Sequence, residues 1–170
     1  MILIQPAIDP IIYSIGIFDI RWYSLSYIIA FVIGSFLIKK FNKDFLNLLT
    51  NKQIDNFFLW AIVGVIIGGR LGYVIFYQTN MIILDPLYII KVWTGGMSFH
   101  GGLFGMIISI YFFSKKNRLN FFYLADLVSL VAPIGLFFGR IANFINTELY
   151  GRITDFPLAI IYPSVDQFPR

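Results

Sequence analysis

The sequence predicts an all-α fold: a polytopic helical membrane protein with about four transmembrane helices, glycine-rich helix packing and a polar site facing outward. Hydrophobic residues make up 58% of the 170 residues and charged residues only 13%, whereas soluble domains carry about 25% charged residues. Long apolar runs recur along the chain, and short basic clusters separate them, a pattern typical of helical membrane proteins. We expect one integral membrane domain over residues 1–170.

Composition also excludes several function classes. The formal charge of +4 comes from basic residues between apolar runs, so a nucleic-acid partner is not expected. The chain has no cysteine, which excludes disulfides, thiolate metal sites and a cysteine nucleophile. His100 is the only histidine, and one histidine cannot form a metal site without other ligands. We therefore expect neither a metal nor a cofactor.

Four apolar runs are long enough, or nearly so, to cross the hydrocarbon core. They cover about residues 22–41, 57–77, 99–113 and 121–138. The second reaches about 30 Å at ~1.5 Å per residue, the thickness of the bilayer core. The third is short and starts in a glycine-rich turn, so we expect it to begin below the outer surface.

The loops between these runs predict the orientation. The loops after runs one and three carry two basic clusters, made of Lys39, Lys40, Lys43 and Lys52 and of Lys115, Lys116 and Arg118. The N-terminal arm and the loop between runs two and three carry little positive charge, Arg21 and Lys91. The positive-inside rule places these clusters in the cytoplasm and the N-terminus outside. The polar run 140–152 then also emerges on the outer side.

Glycines recur every fourth residue in three stripes, which predicts close approach of helix backbones, since no hydrophobic effect drives helices together in lipid. The stripes are Gly64, Gly68 and Gly72, then Gly101 and Gly105, then Gly135 and Gly139.

Ionisable residues within the apolar runs are functional candidates, because inserting a charge costs about 2.5–3.5 kcal/mol. Arg70 suits either a buried structural role or an anionic headgroup. Asp126, near the inner start of run four, suits a hydrated or helix-start role. His100 stands among glycines that would let a substrate approach, and imidazole titrates near neutral pH, so general acid/base work competes with a structural role.

The densest polar run is GRIANFINTELYGR at 139–152. In a helix, Arg140, Asn143 and Thr147 share one face, where a guanidinium and an amide would bind a phosphate. On an ideal helix the Glu148 side chain points away from this face. It therefore either needs a bend in the chain to reach the face, or pairs with an arginine. Two interpretations of this run remain open: a phospholipid-binding site, or a polar plug whose groups bond to one another and fix the helices.

Five segments, in order, resemble characteristic blocks of the prolipoprotein diacylglyceryl transferase family: RWY at 21–23, GGRLGY at 68–73, DPLY at 85–88, MSFHGGL at 97–103 and the run at 139–152. The resemblance covers essentially the whole chain, and the last block is the most specific. It implies a multi-pass enzyme of the bacterial inner membrane whose N-terminus and site face the periplasm. Such an enzyme transfers the diacylglyceryl group of phosphatidylglycerol to the lipobox cysteine thiol of a prolipoprotein signal peptide, forming a thioether and releasing glycerol 1-phosphate.

The resemblance also implies roles for single residues. Arg140, backed by Asn143, would stabilise the charge on the departing phosphate. His100 would take the thiol proton or orient the headgroup. Glu148 would position an arginine, and Tyr23 would contact a headgroup oxygen. Gly151 would give the backbone room where the lipid passes. Arg70 is the one further expected lipid contact, and that expectation comes from its charge within an apolar run rather than from the resemblance.

Members of that family continue through further membrane helices, so the resemblance implies that this chain corresponds to the N-terminal portion of the family fold. Two other interpretations stay open from the sequence. Arg70 and Arg140 would line the path of an anion channel or transporter, or the chain would be an inactive membrane fragment that binds lipid. A transporter would show paired broken helices in corresponding halves, and the sequence has no such duplication.

Overall fold

The computed structural model describes residues 3–15 and 18–170, and most of these are helical. The α-helices are α1 (Trp22–Phe41), α2 (Asn51–Tyr77), α3 (Thr79–Leu84), α4 (Phe99–Asn117) and α5 (Phe121–Ile145). A π-helical turn, Asn42–Leu46, follows α1, and two 3₁₀ turns, Pro86–Ile90 and Val92–Thr94, lie between α3 and α4. The predicted helical membrane class is confirmed.

Within the described residues, three helical segments are long and apolar enough to cross a membrane: Trp22–Phe45, Asn51–Tyr77 and Phe121–Ile145. All four predicted runs are helical, but α4 is not among these three. Polar residues at both ends make α4 less apolar than the other three segments: Lys115 and Lys116 lie in its last turn, and His100 lies in its first.

Four short strands were not predicted. β1 (Leu3–Ile4) pairs in parallel with β4 (Ile160–Ile161), and β2 (Ile11–Ile15) pairs antiparallel with β3 (Phe18–Arg21). In the β2–β3 hairpin, the Ser14 hydroxyl donates to the Asp19 carboxylate over 2.8 Å. This hairpin precedes α1 directly and therefore fixes where the first membrane helix begins.

The chain forms two compact units, one of Met1–Phe36 with Val131–Arg170 and the other of Leu37–Leu130. In the second unit, α2 packs against α4. A Cβ atom on Gly105 would lie 1.9 Å from the Gly64 carbonyl oxygen, and one on Gly68 would lie 2.3 Å from the Gly101 carbonyl oxygen. Only glycine allows such close backbone contact, so the approach predicted from these two stripes is present.

The third stripe behaves differently. A Cβ atom on Gly135 or Gly139 would meet nothing within 4 Å in the part of the chain that the structure describes. Asp126, also on α5, is exposed, in agreement with a hydrated role.

Local sequence signals explain where the packed helices start. Thr50 and Gln53 form a capping box at the start of α2, each side chain bonded to the other residue's backbone N–H, which satisfies two otherwise unpaired donors. At α4, the Ser98 hydroxyl oxygen accepts from the Gly101 amide over 3.2 Å. This cap sets the register of the first turn of α4, which carries His100.

Candidate functional site

The residues predicted to form the site divide between the two units. Arg70 and His100 belong to the unit Leu37–Leu130, whereas Tyr23, Arg140, Asn143, Glu148 and Gly151 belong to the other unit. Each group has its own internal geometry, and the two differ in how their polar groups are satisfied.

Arg70 on α2 is buried, with only 2% of its surface exposed. Its guanidinium donates to acceptors in the segment between α3 and α4: Nε to the Ile89 carbonyl (3.3 Å), Nη2 to the Tyr88 carbonyl (2.7 Å) and the Thr94 hydroxyl (3.1 Å), and Nη1 to the carbonyls of Gly95 and Gly96. These bonds engage the five N–H donors that a guanidinium has.

Aromatic rings complete the surroundings of Arg70. Its Cζ atom lies 4.5 Å from the centre of the Tyr88 ring and 5.7 Å from that of Tyr73. Among the described residues, no carboxylate forms an ion pair with it. Of the two roles left open by the sequence, this geometry favours the buried structural role, because no guanidinium donor is left for a lipid phosphate.

His100 is the second residue of α4 and is exposed. Its ring meets the Phe99 ring edge-on, with centroids 5.6 Å apart. Within the described ranges, the imidazole makes no hydrogen bond or ion pair, so both ring nitrogens are available to a substrate. A satisfied structural histidine would instead show a partner.

The glycines that follow His100 have a different role from the one expected. Gly101 and Gly102 are buried and face α2. A Cβ atom on Gly101 would lie 2.3 Å from the Gly68 carbonyl oxygen. Gly101 is therefore required for contact between the two helices, whereas the His100 side chain lies exposed.

Arg140 lies in the last turns of α5 and is exposed. In the part of the chain that the structure describes, its guanidinium has neither a hydrogen-bond acceptor nor an acidic partner. Asn143, one turn later, is half-buried, and its amide Nδ2 donates to Glu148 Oε2 over 3.4 Å. A cation without a protein partner beside a polarised amide can bind an external phosphate.

The chain bends sharply after α5 ends at Ile145. Thr147 and Leu149 have φ values of 57° and 51°, in the left-handed region that side chains rarely adopt. The Glu148 amide donates back to the Asn143 carbonyl over 2.8 Å. The bend that Glu148 required is thus present, and Glu148 pairs with Asn143 rather than with an arginine.

Gly151 follows this bend with a φ of 86°, and nothing lies within 4 Å of the position where its Cβ would be. Glycine is needed there for the backbone conformation. The space beside it is open in the part of the chain that the structure describes.

Sequence reasoning missed Gln5, which is only 5% exposed. Its amide Nε2 donates to the Phe144 carbonyl over 2.6 Å and to the Thr147 hydroxyl over 3.2 Å, which ties the N-terminal arm to the bend. The only sequence signal for Gln5 was that it is a single amide side chain within the apolar N-terminal segment. Asn146 was also given no role of its own from the sequence. Its Oδ1 atom is buried and has no hydrogen-bond partner among the described residues.

Tyr23 lies in the first turn of α1, beside Tyr27, with hydroxyls 3.4 Å and ring centroids 5.1 Å apart. Tyr23, Asn143 and Glu148 belong to the same unit, in which Tyr23 pairs with Tyr27 and Asn143 pairs with Glu148. Among the described residues, no three His, Asp or Glu side chains are grouped so that they could hold a metal ion.

A family model described as prolipoprotein diacylglyceryl transferase matches residues 10–170. Similar curated proteins include the phosphatidylglycerol–prolipoprotein diacylglyceryl transferases of Rickettsia typhi, 51% identical over 168 residues, Rickettsia canadensis, 49% over 168, and Rickettsia felis, 47% over 165. The alignments cover 99%, 99% and 97% of this chain but only 65%, 65% and 64% of those relatives. None of these matches supports an anion channel, a transporter or an inactive lipid-binding fragment.

Proposed function

This chain belongs to the prolipoprotein diacylglyceryl transferase family, and on that premise we propose that it transfers a diacylglyceryl group from phosphatidylglycerol to a prolipoprotein. The acceptor is the cysteine thiol of the lipobox. The observation that carries the proposal is Arg140, an exposed guanidinium without a protein partner in the described residues, in the block that most resembles the family.

The proposed reaction is a displacement at the glyceryl carbon bonded to the phosphate oxygen. The cysteine sulfur attacks this carbon, a carbon–sulfur bond forms, and the carbon–oxygen bond breaks. Glycerol 1-phosphate leaves with the bonding electrons, and a base takes the thiol proton. Negative charge therefore accumulates on the phosphate as the reaction proceeds, and preorganised donors aimed at that charge lower the barrier.

Arg140 supplies those donors in our proposal. A guanidinium binds phosphate through two parallel hydrogen bonds, which a lysine cannot reproduce. Asn143 contributes its amide, and Glu148 holds that amide in place through the bond from Nδ2 to Oε2 of 3.4 Å. Glu148 thus acts through Asn143, since no arginine of the described chain pairs with it.

The remaining roles follow from exposure and position. His100 takes the thiol proton, because its ring is exposed and has no protein partner within the described ranges. Tyr23 contacts a headgroup oxygen, and the left-handed turn at Gly151 leaves room for the lipid. No metal or cofactor takes part in these steps.

The orientation is also part of the proposal. The basic clusters after α1 and α4 favour the cytoplasmic side, so the N-terminus and the block at 139–152 face the periplasm of a bacterial inner membrane. That side is where the signal peptide of an exported precursor presents its cysteine.

The test uses the purified chain, phosphatidylglycerol vesicles and a synthetic lipobox peptide. Mass spectrometry should detect a diacylglyceryl thioether on the peptide and glycerol phosphate in solution. A peptide with serine in place of the cysteine, and vesicles of phosphatidylethanolamine alone, should give no product. If the peptide stays unmodified while the Rickettsia typhi transferase modifies it under the same conditions, the proposal is wrong. Anion conductance without transfer would instead support a channel.

A further inference from the structure

We propose that Arg70 is a positioning residue, a clamp that fixes the segment 85–98 onto α2 and so sets the place of His100. The inference rests on the proposed function only in assigning His100 a role in transfer. The clamp itself is a property of the unit Leu37–Leu130.

The first argument is the distribution of the acceptors. They come from two separate stretches of the segment, the 3₁₀ turn that holds Tyr88 and Ile89 and the turn from Thr94 to Gly96. One side chain thus joins both stretches to the C-terminal third of α2. Four of the acceptors are main-chain carbonyls, so the bonds fix the path of the backbone.

A second anchor lies one residue earlier on α2. The Ser98 amide donates to the Gly69 carbonyl over 2.9 Å. A Cβ atom on Gly69 would come within 2.7 Å of Met97 Cε. Gly69 and Arg70 therefore hold the end of the segment from adjacent positions, directly before α4 starts.

The residue type matches a clamp. A guanidinium has five donors in a rigid planar fork, whereas a lysine has three donors on a flexible stem. The positive charge is offset by carbonyl dipoles and by the faces of Tyr88 and Tyr73. The nearby ion pair between Lys91 and Asp85, 2.5 Å apart, satisfies itself within the segment and leaves Arg70 to the carbonyls.

The connection to His100 is short. Ser98 is bound through its amide to α2 and through its hydroxyl to the first turn of α4. His100 follows two residues later. When the clamp is lost, the first turn of α4 loses its fixed start, and the imidazole samples several positions relative to the substrate thiol.

The experiment compares Arg70→Met and Arg70→Lys in the full chain, with Asp85→Asn as a control that breaks an ion pair in the same segment. Within residues 94–98, the amides of Thr94, Gly95 and Ser98 are bonded to the carbonyls of Lys91, Val92 and Gly69. Their hydrogen exchange should be at least about tenfold faster in both Arg70 variants, because these bonds open locally when the segment is released. The control should stay within about twofold of the wild type. Amides of residues 135–142 report any general loss of fold.

Transfer kinetics supply the second readout. For a clamp, kcat falls about tenfold in both variants and KM for phosphatidylglycerol stays within about twofold, because ground-state lipid binding is intact. Unchanged exchange at residues 94–98 would overturn the clamp. So would a KM that rises in Arg70→Met and is restored by Arg70→Lys, since this is the behaviour of a headgroup ligand. If the wild type transfers nothing, the proposed function fails, and exchange alone still decides the clamp.

Discussion

Arg70 and Arg140 occupy comparable sequence settings, each after a glycine and each within an apolar helix, yet their surroundings are opposite. Arg70 is 2% exposed and directs its donors at protein acceptors. Arg140 is exposed and has no protein partner within the described ranges. The comparison shows that a charge in a membrane helix can have its donors engaged by the protein, as at Arg70, or can be left without a protein partner, as at Arg140. Only the second arrangement leaves donors that a ligand could use.

The two units repeat this contrast in their glycines. In the unit Leu37–Leu130, Gly64 and Gly105 bring two helix backbones into contact. On α5, Gly135 has open space around it in the described part of the chain. The first region therefore uses close backbone packing between helices, whereas α5 is not packed in this way around Gly135.

The largest effect is expected at Arg140. Arg140→Met should lower kcat/KM for transfer by about 1000-fold, in line with the loss of a donor to developing negative charge. Lysine should recover little, because it cannot bind phosphate in a bidentate manner. Steady-state kinetics with the lipobox peptide measure this. Arg152→Met, which removes an exposed arginine from the same block, is the matched control and should stay within about threefold.

The next effect is at His100. His100→Asn should lower the rate at neutral pH by about 100-fold, the contribution typical of a general base. The deficit should shrink at pH 9, because a free cysteine thiol with a pKa near 8.5 ionises there without help. Rates of the variant and wild type between pH 6 and 9 test this. A deficit that stays constant over this range would assign His100 to headgroup orientation.

A stability comparison separates the glycine stripes. Gly105→Ala should destabilise the fold by about 1–3 kcal/mol, because the added methyl group would overlap the Gly64 carbonyl oxygen. Gly135→Ala should be neutral or should stabilise by about 0.5–1 kcal/mol, since alanine favours a helix. Thermal unfolding in detergent measures both changes. Equal loss of stability in the two variants would contradict the difference in packing.

The smallest effect concerns Asp166. The Arg170 guanidinium donates to its carboxylate and lowers the pKa of Asp166 below its ordinary value. A carboxyl whose pKa is lowered in the folded state stabilises that state above the unfolded pKa, and the contribution is lost as pH falls through the folded pKa. The protection of the Arg170 amide, which is bonded to the Ile160 carbonyl, should therefore fall below about pH 4 when its hydrogen exchange is compared with the intrinsic rate at each pH. Asp166→Asn should remove this pH dependence of the protection, and protection that is independent of pH in the wild type would refute the prediction.

Much of the fold follows from the sequence because a bilayer admits few structures. Long apolar runs with glycine every fourth residue require helices that pack closely, and α2 and α4 do so. The β2–β3 hairpin and the β1–β4 pair were not predicted, because each strand is too short for a clear alternating pattern. For Glu148, helix geometry left two alternatives open, a bend in the chain or a pairing with an arginine, and the structure has the bend.

The site was predicted less completely. Side-chain patterns cannot reveal that Arg70 binds main-chain carbonyls, because every residue carries the same carbonyl. Gln5 was missed for the related reason that its partner, the Phe144 carbonyl, leaves no trace in the sequence. Arg140, Asn143 and Glu148 were predicted as site residues because their side chains form a dense polar run in an apolar chain, and their roles stay predictions.

The most direct test of the contrast between the two arginines is lipid binding without transfer. Calorimetric titration of the purified chain with short-chain phosphatidylglycerol, in the absence of peptide, measures the dissociation constant for the wild type, Arg140→Met and Arg70→Met. The account predicts at least about tenfold weaker binding in Arg140→Met, from the lost charged hydrogen bonds, and binding within about threefold of the wild type in Arg70→Met. Weakened binding in Arg70→Met with unchanged binding in Arg140→Met would contradict it.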